Sequence, residues 1–410
     1  MSSLFEKFVR TVRHQGLRHA ARVATRRLMH GPQHVGVPVN TVGKIDILKH
    51  YTQFLGETHG DPALLGTAPA NRLQWVIPNF GFGSGGHLNI FRFINMLADH
   101  GFEQRLVILP PYNWSSPQAA RSALESWYFP LKAEIAFGVE GFAPAAVTFA
   151  TGWQTAYWVA KHQASADKFY FVQDFEPSFY PVSSDFYLAE NTYRLGLKGI
   201  TAGSWLSEKL SADYGMRCAA ISFGVDHDRY VPQPRTSYDH FNILFYSRHV
   251  TPRRLFELGL VALQEVCTNC PDVAVIFAGG DVSGIDIPFP HLNAGELKLE
   301  ALPGLYSQCD LALVLSGTNL SLLPLEVVSC GCPVVMNDTP SARWLLPEDA
   351  AFYAPPDPHS LAQAMLRAIT SPEERAHRTA NARKIAAAAH WTDQGDRLVE
   401  LIGGMRDNAW

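Results

Sequence analysis

Residues 316–335 place a glycine-containing loop between two apolar strands, and this segment constrains the fold most. It reads SGTNLSLLPLEVVSCGCPVV. The pattern predicts a strand that ends near Ser316, a helix from about Pro324 that carries Glu326, and a second buried strand after Gly331. Such a unit is half of a nucleotide-binding domain, in which loop N–H groups attract phosphate oxygens. Because a carboxylate just inside the helix can accept hydrogen bonds from ribose hydroxyls, the segment predicts a pocket for a nucleotide diphosphate.

The rest of the chain alternates apolar runs with helical stretches, which is typical of parallel sheets covered by helices. Its 410 residues are too many for one ordinary core, and a Pro-rich stretch at 231–240 separates two alternating blocks. We therefore expect an α/β protein with two Rossmann-like, doubly wound domains that face each other across a cleft. The predicted parts are a basic amphipathic helix at 1–30, a connecting segment at 31–70, a first domain at 71–236, a second, nucleotide-binding domain at 237–392, and a C-terminal helix at 393–410 that crosses back to the first domain.

The apolar runs give predicted strands in both halves. In the first half they are 73–77, 105–109, 133–137, 169–173, 199–202 and 219–223. In the second half they are 242–246, 273–278, 311–315, 333–336 and 351–353. The predicted helices are 87–100, 205–214, 256–267, 304–309, 324–329, 360–369 and 394–405.

Composition excludes several classes of protein. A net charge of −4 does not favour a nucleic-acid partner, and six scattered cysteines are typical of a reducing cytosol rather than a disulfide framework. No apolar run is long enough to cross a membrane. Residues 1–30 carry seven Lys and Arg residues against one Glu, so we expect this helix either to lie peripherally on an anionic membrane surface or to pack on its own protein.

A glycine-rich loop at 79–87 follows the first predicted strand and opens a helix. Gly83, Gly85 and Gly86 permit close approach of a nucleotide-sugar, and His87 at the helix start is expected to bind the acceptor. The loop resembles the GxGxxG fingerprint only loosely. The dehydrogenase form needs an acid at the end of the second strand, where this chain has prolines, and NAD is therefore disfavoured.

Basic residues follow the first strand of the second half. Arg248 leaves the strand tip, and Arg253 and Arg254 stand near the start of the next helix. Guanidinium groups that converge at a strand end can bind a diphosphate by paired hydrogen bonds and stabilise it as it leaves. The alternative is a surface salt-bridge cluster with Glu257.

Other candidates lie at further predicted strand ends. Gly279 could let a base or phosphate approach, or could form an ordinary turn. Asp174 and Glu176 are expected to face the cleft, where they could bind sugar hydroxyls or act as a base. The DxD at 226–228 is expected to form the turn into the linker rather than to hold a metal, and the sixteen histidines show no metal-binding spacing.

Taken in order, these motifs resemble those of GT-B glycosyltransferases of the large retaining family four. The stretches VQDFEPSFYP at 172–181, TPRR at 251–254 and GGHLNIFR at 85–92 resemble the WsaF-type rhamnosyltransferases of bacterial surface-glycan assembly. The resemblance covers about residues 70–370. It implies a GT-B fold and transfer of a sugar, with L-rhamnose from dTDP-L-rhamnose as the best expectation, to a glycan or lipid-linked glycan. It implies retention of configuration and no cofactor or metal.

The resemblance also assigns residue roles. Glu326 would bind the ribose, and Arg248 with Arg253 or Arg254 would hold the diphosphate. Family members often carry a glutamate eight residues before the helix glutamate, where this chain has Thr318, so altered recognition of the donor sugar is expected. The backbone of Asn319, Leu320 and Ser321 would then hold phosphate and sugar. The alternatives are a non-catalytic GT-B module that binds nucleotide or glycan for a partner enzyme, and a nucleotide-sugar epimerase.

Overall fold

The computed structural model describes residues 48, 51–53, 56–236 and 239–406. Contacts divide the chain into two compact units, Met1–Gly56 and Glu57–Trp410, and both α/β domains lie in the second unit. The predicted basic helix at 1–30 and its expected membrane contact lie outside the described residues. Among the helices that are described, none has the length and apolar character needed to span a membrane.

A seven-stranded, fully parallel sheet forms the core of the first domain, in the order β3-β2-β1-β4-β5-β6-β7. The strands are β1 (Arg72–Ile77), β2 (Glu103–Ile108), β3 (Glu134–Phe137), β4 (Ala145–Ala150), β5 (Ser165–Val172), β6 (Lys198–Ala202) and β7 (Cys218–Ile221). The helices are α1 (Gly85–Asp99), α2 (Pro117–Trp127), α3 (Trp153–Lys161), α4 (Ser184–Asn191) and α5 (Ser204–Tyr214). Both faces of the sheet are covered, and β4 is accordingly buried along its whole length.

The second domain has a six-stranded, fully parallel sheet in the order β10-β9-β8-β11-β12-β13. The strands are β8 (Phe241–Tyr246), β9 (Val273–Ala278), β10 (His291–Gly295), β11 (Leu311–Val314), β12 (Val334–Asn337) and β13 (Phe352–Ala354). The helices are α6 (Phe256–Asn269), α7 (Leu302–Ser307), α8 (Leu323–Ser329), α9 (Pro340–Arg343), α10 (Pro358–Thr370) and α11 (Pro372–Ala387). The predicted fold class, two doubly wound α/β domains, is confirmed.

Some elements were absent from the sequence-based prediction. The central strand β4 reads AAVTFA, and its small residues give little apolar signal. The edge strand β10 is exposed over its first three residues. Helix α11 is polar almost throughout and buries only two alanines, so it lacks the apolar stripe by which a helix is recognised.

The last helix, α12 (Trp391–Arg406), crosses back to the first domain. Its Leu398, Leu401 and Ile402 are fully buried in the first domain's core. The chain passes between the domains twice, in the segment after β7 and in the segment that leads into α12. The two segments are joined there, because Val225 N donates to Ala389 O at 2.9 Å and Ser222 N donates to the Gln394 side chain at 2.7 Å. These paired crossings form the hinge between the domains, and they fix which strand ends face each other.

Candidate active site between the two domains

Loops that follow the carboxyl ends of the strands in the two sheets meet between the domains. The first domain contributes the loops after β1 and β5, and the second contributes those after β8, β9 and β11. Ligands bind at this edge of open α/β sheets. Two sheets that turn these edges towards each other therefore provide binding groups from both sides.

The three arginines after β8 are brought together. A 3₁₀ turn, Pro252–Arg254, leads into α6 through Leu255, whose φ of 53° is positive. Arg254 Nη1 donates to Ser316 Oγ at 3.2 Å, and Gly317 N donates to Arg253 O at 2.7 Å. The left-handed backbone at a leucine is strained and has to be held by its surroundings. The turn thus fixes Arg253 and Arg254 against the loop after β11.

Arg253 points across to the first domain. Its guanidinium lies 4.2 Å over the ring of Phe179, and its Nε is 3.7 Å from Asp174 Oδ2. Burial lowers the pKa of Arg253, and the charges of Arg254 and Arg248 act in the same direction while Asp174 opposes them. The charges of Arg248 and Arg254 act on Arg253 together with one opposing carboxylate, and the resulting excess of positive charge suits a diphosphate.

The loop expected to hold phosphate is closed off in this arrangement. Thr318, Asn319 and Leu320 are buried, and Ser321 is half-buried. Asn319 N donates to Asp174 Oδ1 and Thr318 Oγ1 donates to Asp174 Oδ2, both at 2.8 Å. The role of this loop in holding phosphate and sugar stays a prediction, and in this structure a carboxylate of the first domain accepts hydrogen bonds from two of its donors.

Asn319 fastens the two domains with its side chain. Its Nδ2 donates to Gln173 O at 3.0 Å and to Ala202 O at 2.6 Å, at the ends of β5 and β6. Its Oδ1 accepts from Trp344 Nε1 at 2.8 Å. Because these groups are buried, losing the Asn319 side chain would leave several polar atoms without partners. Sequence reasoning gave Asn319 a role through its backbone alone and missed this one.

Glu176 does not face the cleft, contrary to expectation. Its carboxylate turns into the first domain, where Oε2 accepts from Trp153 N at 2.7 Å and Oε1 accepts from Tyr170 OH at 2.8 Å. Burial raises its pKa to about 7, against the opposing effect of these two hydrogen bonds. With both oxygens occupied, Glu176 stabilises the start of α3 and is not placed to bind an acceptor.

Replacement of Glu176 by glutamine should change how stability depends on pH. The pKa of Glu176 is higher in the folded protein than in the unfolded chain, so the folded protein keeps a proton that the unfolded chain releases. Wild type therefore loses stability as the pH rises from about 4.5 to about 7. The free energy of unfolding of Glu176→Gln minus that of wild type should therefore increase by about 1–3 kcal/mol from pH 5 to pH 8. Urea unfolding at several pH values measures this, with exposed Glu208→Gln as control. A constant difference would show that Glu176 is not the group that titrates.

Glu326 lies in the first turns of α8, as predicted, and is half-buried. Its carboxyl group lies near Tyr230. Burial raises its pKa to about 7; Asp226 adds to this rise, whereas Tyr230, Arg92 and Arg229 oppose it. Glu326 is thus an acid with few partners, in a polar cluster at the hinge side of the cleft.

Arg92 of α1 supports this cluster from the first domain. Its Nη2 contacts both oxygens of Asp226 at 2.9 and 2.8 Å, and its guanidinium lies 4.1 Å over the ring of Trp391. Asp226, the first acid of the DxD, therefore binds arginine. Within the described part of the chain, no group of three or more His, Cys, Asp or Glu residues could hold a metal ion. Sequence reasoning missed Arg92 and Tyr230, because only the folded chain brings them to Glu326.

The glycine loop after β1 forms the rim of the first domain. Gly83 has a φ of 70°, and the space beside Gly83 and Gly85 is open. Gly86 O accepts from Gln173 Nε2 at 3.0 Å. His87 Nδ1 lies 2.8 Å from Ser84 Oγ, and its ring lies near those of Phe80 and Phe91. Burial lowers the pKa of His87 to about 4, so it is neutral at pH 7 and ties the loop to the helix start.

Gly279 serves a packing role in this arrangement. Its φ of 98° is positive, and a Cβ atom there would overlap the ring of Tyr246. Tyr246 therefore lies directly on the Gly279 backbone, at the ends of β8 and β9. Where a base or phosphate was expected to approach, an aromatic ring covers the glycine and offers a flat surface beside the arginines.

Comparisons with known proteins confirm the resemblance to the WsaF family. The model of the WsaF N-terminal domain matches residues 142–202, and that of the WsaF C-terminal domain matches residues 241–366. The O-antigen biosynthesis protein RfbC of Myxococcus xanthus is 31% identical over 345 residues, which are 80% of this chain. The chain spans 26% of the length of that relative.

Solved structures share the two-domain fold at low sequence identity. Sucrose-phosphate synthase from Thermosynechococcus elongatus is 13% identical with a TM-score of 0.63, covering 82% of this chain and 99% of its own. Anabaena HepE, in complex with UDP and glucose, is 18% identical with a TM-score of 0.62, covering 81% and 99%. WaaG, a glycosyltransferase involved in lipopolysaccharide biosynthesis, is 14% identical with a TM-score of 0.58, covering 81% and 100%.

Proposed function

Since the chain belongs to the WsaF-like GT-B glycosyltransferases, we propose that it transfers a sugar from a nucleotide diphosphate to a glycan acceptor during the synthesis of a bacterial surface polysaccharide. The observation that carries this proposal is the meeting of Arg253 and Arg254 of the second domain with Asp174 of the first, at strand ends that face each other. The relation to the O-antigen protein RfbC supports a surface glycan as the product.

The proposed reaction needs positive charge more than a protein nucleophile. The bond between the sugar's anomeric carbon and the diphosphate breaks, the acceptor oxygen bonds to the same carbon, and the acceptor's proton passes to the departing phosphate on the same face. Fixed guanidinium groups stabilise the negative charge that develops on the leaving diphosphate. We propose that these arginines replace a metal ion, so that turnover continues in EDTA. Loss of turnover in EDTA would refute this part.

We further propose dTDP-L-rhamnose as the donor. The WsaF-type motifs support it, and the replacement of the family's sugar-contacting glutamate by Thr318 supports a donor sugar that differs from the common one. Contact between the domains would exclude water, which otherwise hydrolyses an activated sugar.

A non-catalytic binding module is the second candidate. The hydrogen bonds of Thr318 and Asn319 to Asp174 favour it. If these bonds persist when nucleotide binds, the loop has no free donors for the sugar of a nucleotide-sugar.

The test is a thermal-shift panel followed by a turnover assay. Stabilisation grows with ligand occupancy, so dTDP, UDP and GDP reveal the preferred base. The full chain is then incubated with dTDP-L-rhamnose or UDP-glucose and a surface-glycan fragment. Glycosyl transfer with release of nucleotide diphosphate supports an enzyme. Nucleotide binding without transfer to any acceptor supports the binding module, and no binding contradicts both.

A further inference from the structure

The carboxylate of Asp174 has an unusual set of partners for a loop residue. It lies just beyond β5 in the first domain, yet its hydrogen bonds reach the second. Oδ1 accepts from Asn319 N and from Phe175 N, each at 2.8 Å, and Oδ2 accepts from Thr318 Oγ1 at 2.8 Å. Arg253 Nε lies 3.7 Å from Oδ2, beyond hydrogen-bond reach. One anion is thus held by a hydroxyl, two backbone N–H groups and a nearby guanidinium.

Groups of this kind bind phosphate oxygens in proteins. Backbone N–H groups of a loop, a threonine hydroxyl and an arginine are typical donors to a phosphate, and a carboxylate is the side-chain anion closest to it in charge and geometry. The loop that carries Thr318 and Asn319 is also the one that opens α8, and Arg254 is bonded to it through Ser316. Asp174 therefore occupies a place with the chemistry of a phosphate site.

Arg253 is not fully satisfied by this arrangement. Its Nε is buried and has no hydrogen-bond partner within the described part of the chain. A buried guanidinium N–H without a partner is costly, and a ligand oxygen could remove that cost. The side chain of Asp174 is 12% exposed and that of Arg253 is 30% exposed, so the pair lies close to the open cleft.

We propose that Asp174 is an internal substitute for a donor phosphate, which bridges the two domains and has to be displaced when the nucleotide-sugar binds. The donor's phosphate takes over Asn319 N–H, Thr318 Oγ and Arg253, and Asp174 swings back towards the first domain. This inference rests on the proposed function, because it names the site that the donor diphosphate enters. Donor binding is thereby coupled to the contact between the domains, since the displaced carboxylate belongs to one domain and its partners to the other.

Because a diphosphate has to displace Asp174, the wild-type protein binds diphosphates more weakly. Removing the charge of Asp174 should therefore increase its affinity for them. We expect Asp174→Asn to bind inorganic pyrophosphate and dTDP at least tenfold more tightly than wild type, because a charged hydrogen-bonded contact no longer competes with the ligand. Titration calorimetry on the full chain measures both. The matched control is Asp281→Asn, which removes a charge from an exposed carboxylate at the neighbouring end of β9 and should change either affinity less than twofold.

Unchanged or weaker pyrophosphate binding by Asp174→Asn would overturn the inference. Equal tightening by Asp281→Asn would also overturn it, since general electrostatics would then be the cause. If Asp174→Asn does not fold, a crystal structure of wild type with pyrophosphate decides: a phosphate oxygen bonded to Asn319 N supports displacement, and Asp174 still bonded there refutes it. Tighter pyrophosphate binding together with no nucleotide-sugar turnover would support the inference while the proposed function fails.

Discussion

Replacement of Glu326 by alanine is expected to lower sugar transfer and nucleotide affinity by about ten- to a hundredfold. The ribose hydroxyls would lose a charged hydrogen-bond acceptor in a buried site, which costs roughly 1.5–3 kcal/mol. Because its pKa is raised to about 7, Glu326 ionises in the neutral range, and wild-type affinity should rise from pH 6 to pH 8. Calorimetry with dTDP and the turnover assay measure both effects.

Two control variants separate charge from packing at this position. Glu326→Gln keeps the shape of the side chain but cannot ionise. Its affinity for dTDP should therefore rise less between pH 6 and pH 8 than that of wild type. Glu257→Ala removes an exposed glutamate from the first turn of α6 in the same domain and should leave nucleotide binding within twofold. Normal affinity in Glu326→Ala would remove this residue from the site.

The arginines should show the second large effect. Arg248→Ala and Arg253→Met are each expected to lower turnover by about ten- to a hundredfold, because each removes a fixed cation from the leaving diphosphate. The loss should appear in the rate at saturating donor as well as in donor affinity, since charge on the diphosphate grows as the sugar bond breaks. Steady-state kinetics with varied donor concentration separates the two quantities.

Arg383→Ala is the control for a general loss of positive charge, since Arg383 is exposed on α11 away from the strand ends. Its turnover should stay within twofold of wild type. If all three arginine variants lost activity equally, a long-range effect of net charge would explain the result better than a diphosphate clamp. Full activity in Arg248→Ala and Arg253→Met would exclude the clamp.

The fold could be predicted from sequence because most strands are strongly apolar and most helices between them are periodic. β8, β9, β11 and β12 were all recognisable as buried runs. β4 escaped because its position at the centre of the sheet comes from pairing with β1 and β5, and such pairing between segments distant in the chain leaves no local signal. Helix α11 escaped because it packs mainly through alanines, with Ile385 as its one large apolar contact among the residues named in that core.

The site was predictable only in part, for a related reason. Residues that follow a strand are placed by the rule that parallel strands end at one edge, and this rule places the arginines after β8 at that edge. It does not give the direction of a side chain. Asp174 and Glu176 are two residues apart, yet one crosses to the second domain and the other turns into the first domain's core. Contacts that join distant segments, such as Arg92 with Asp226, carry no signal in one sequence.

A crystal structure of the full chain with the best-binding nucleotide diphosphate tests the central claim most directly. We predict density for the ligand between the domains, with its phosphates within hydrogen-bond distance of Arg248 or Arg253 and its ribose hydroxyls on the Glu326 carboxylate. A nucleotide bound elsewhere on the protein, with this cleft empty, would contradict the account.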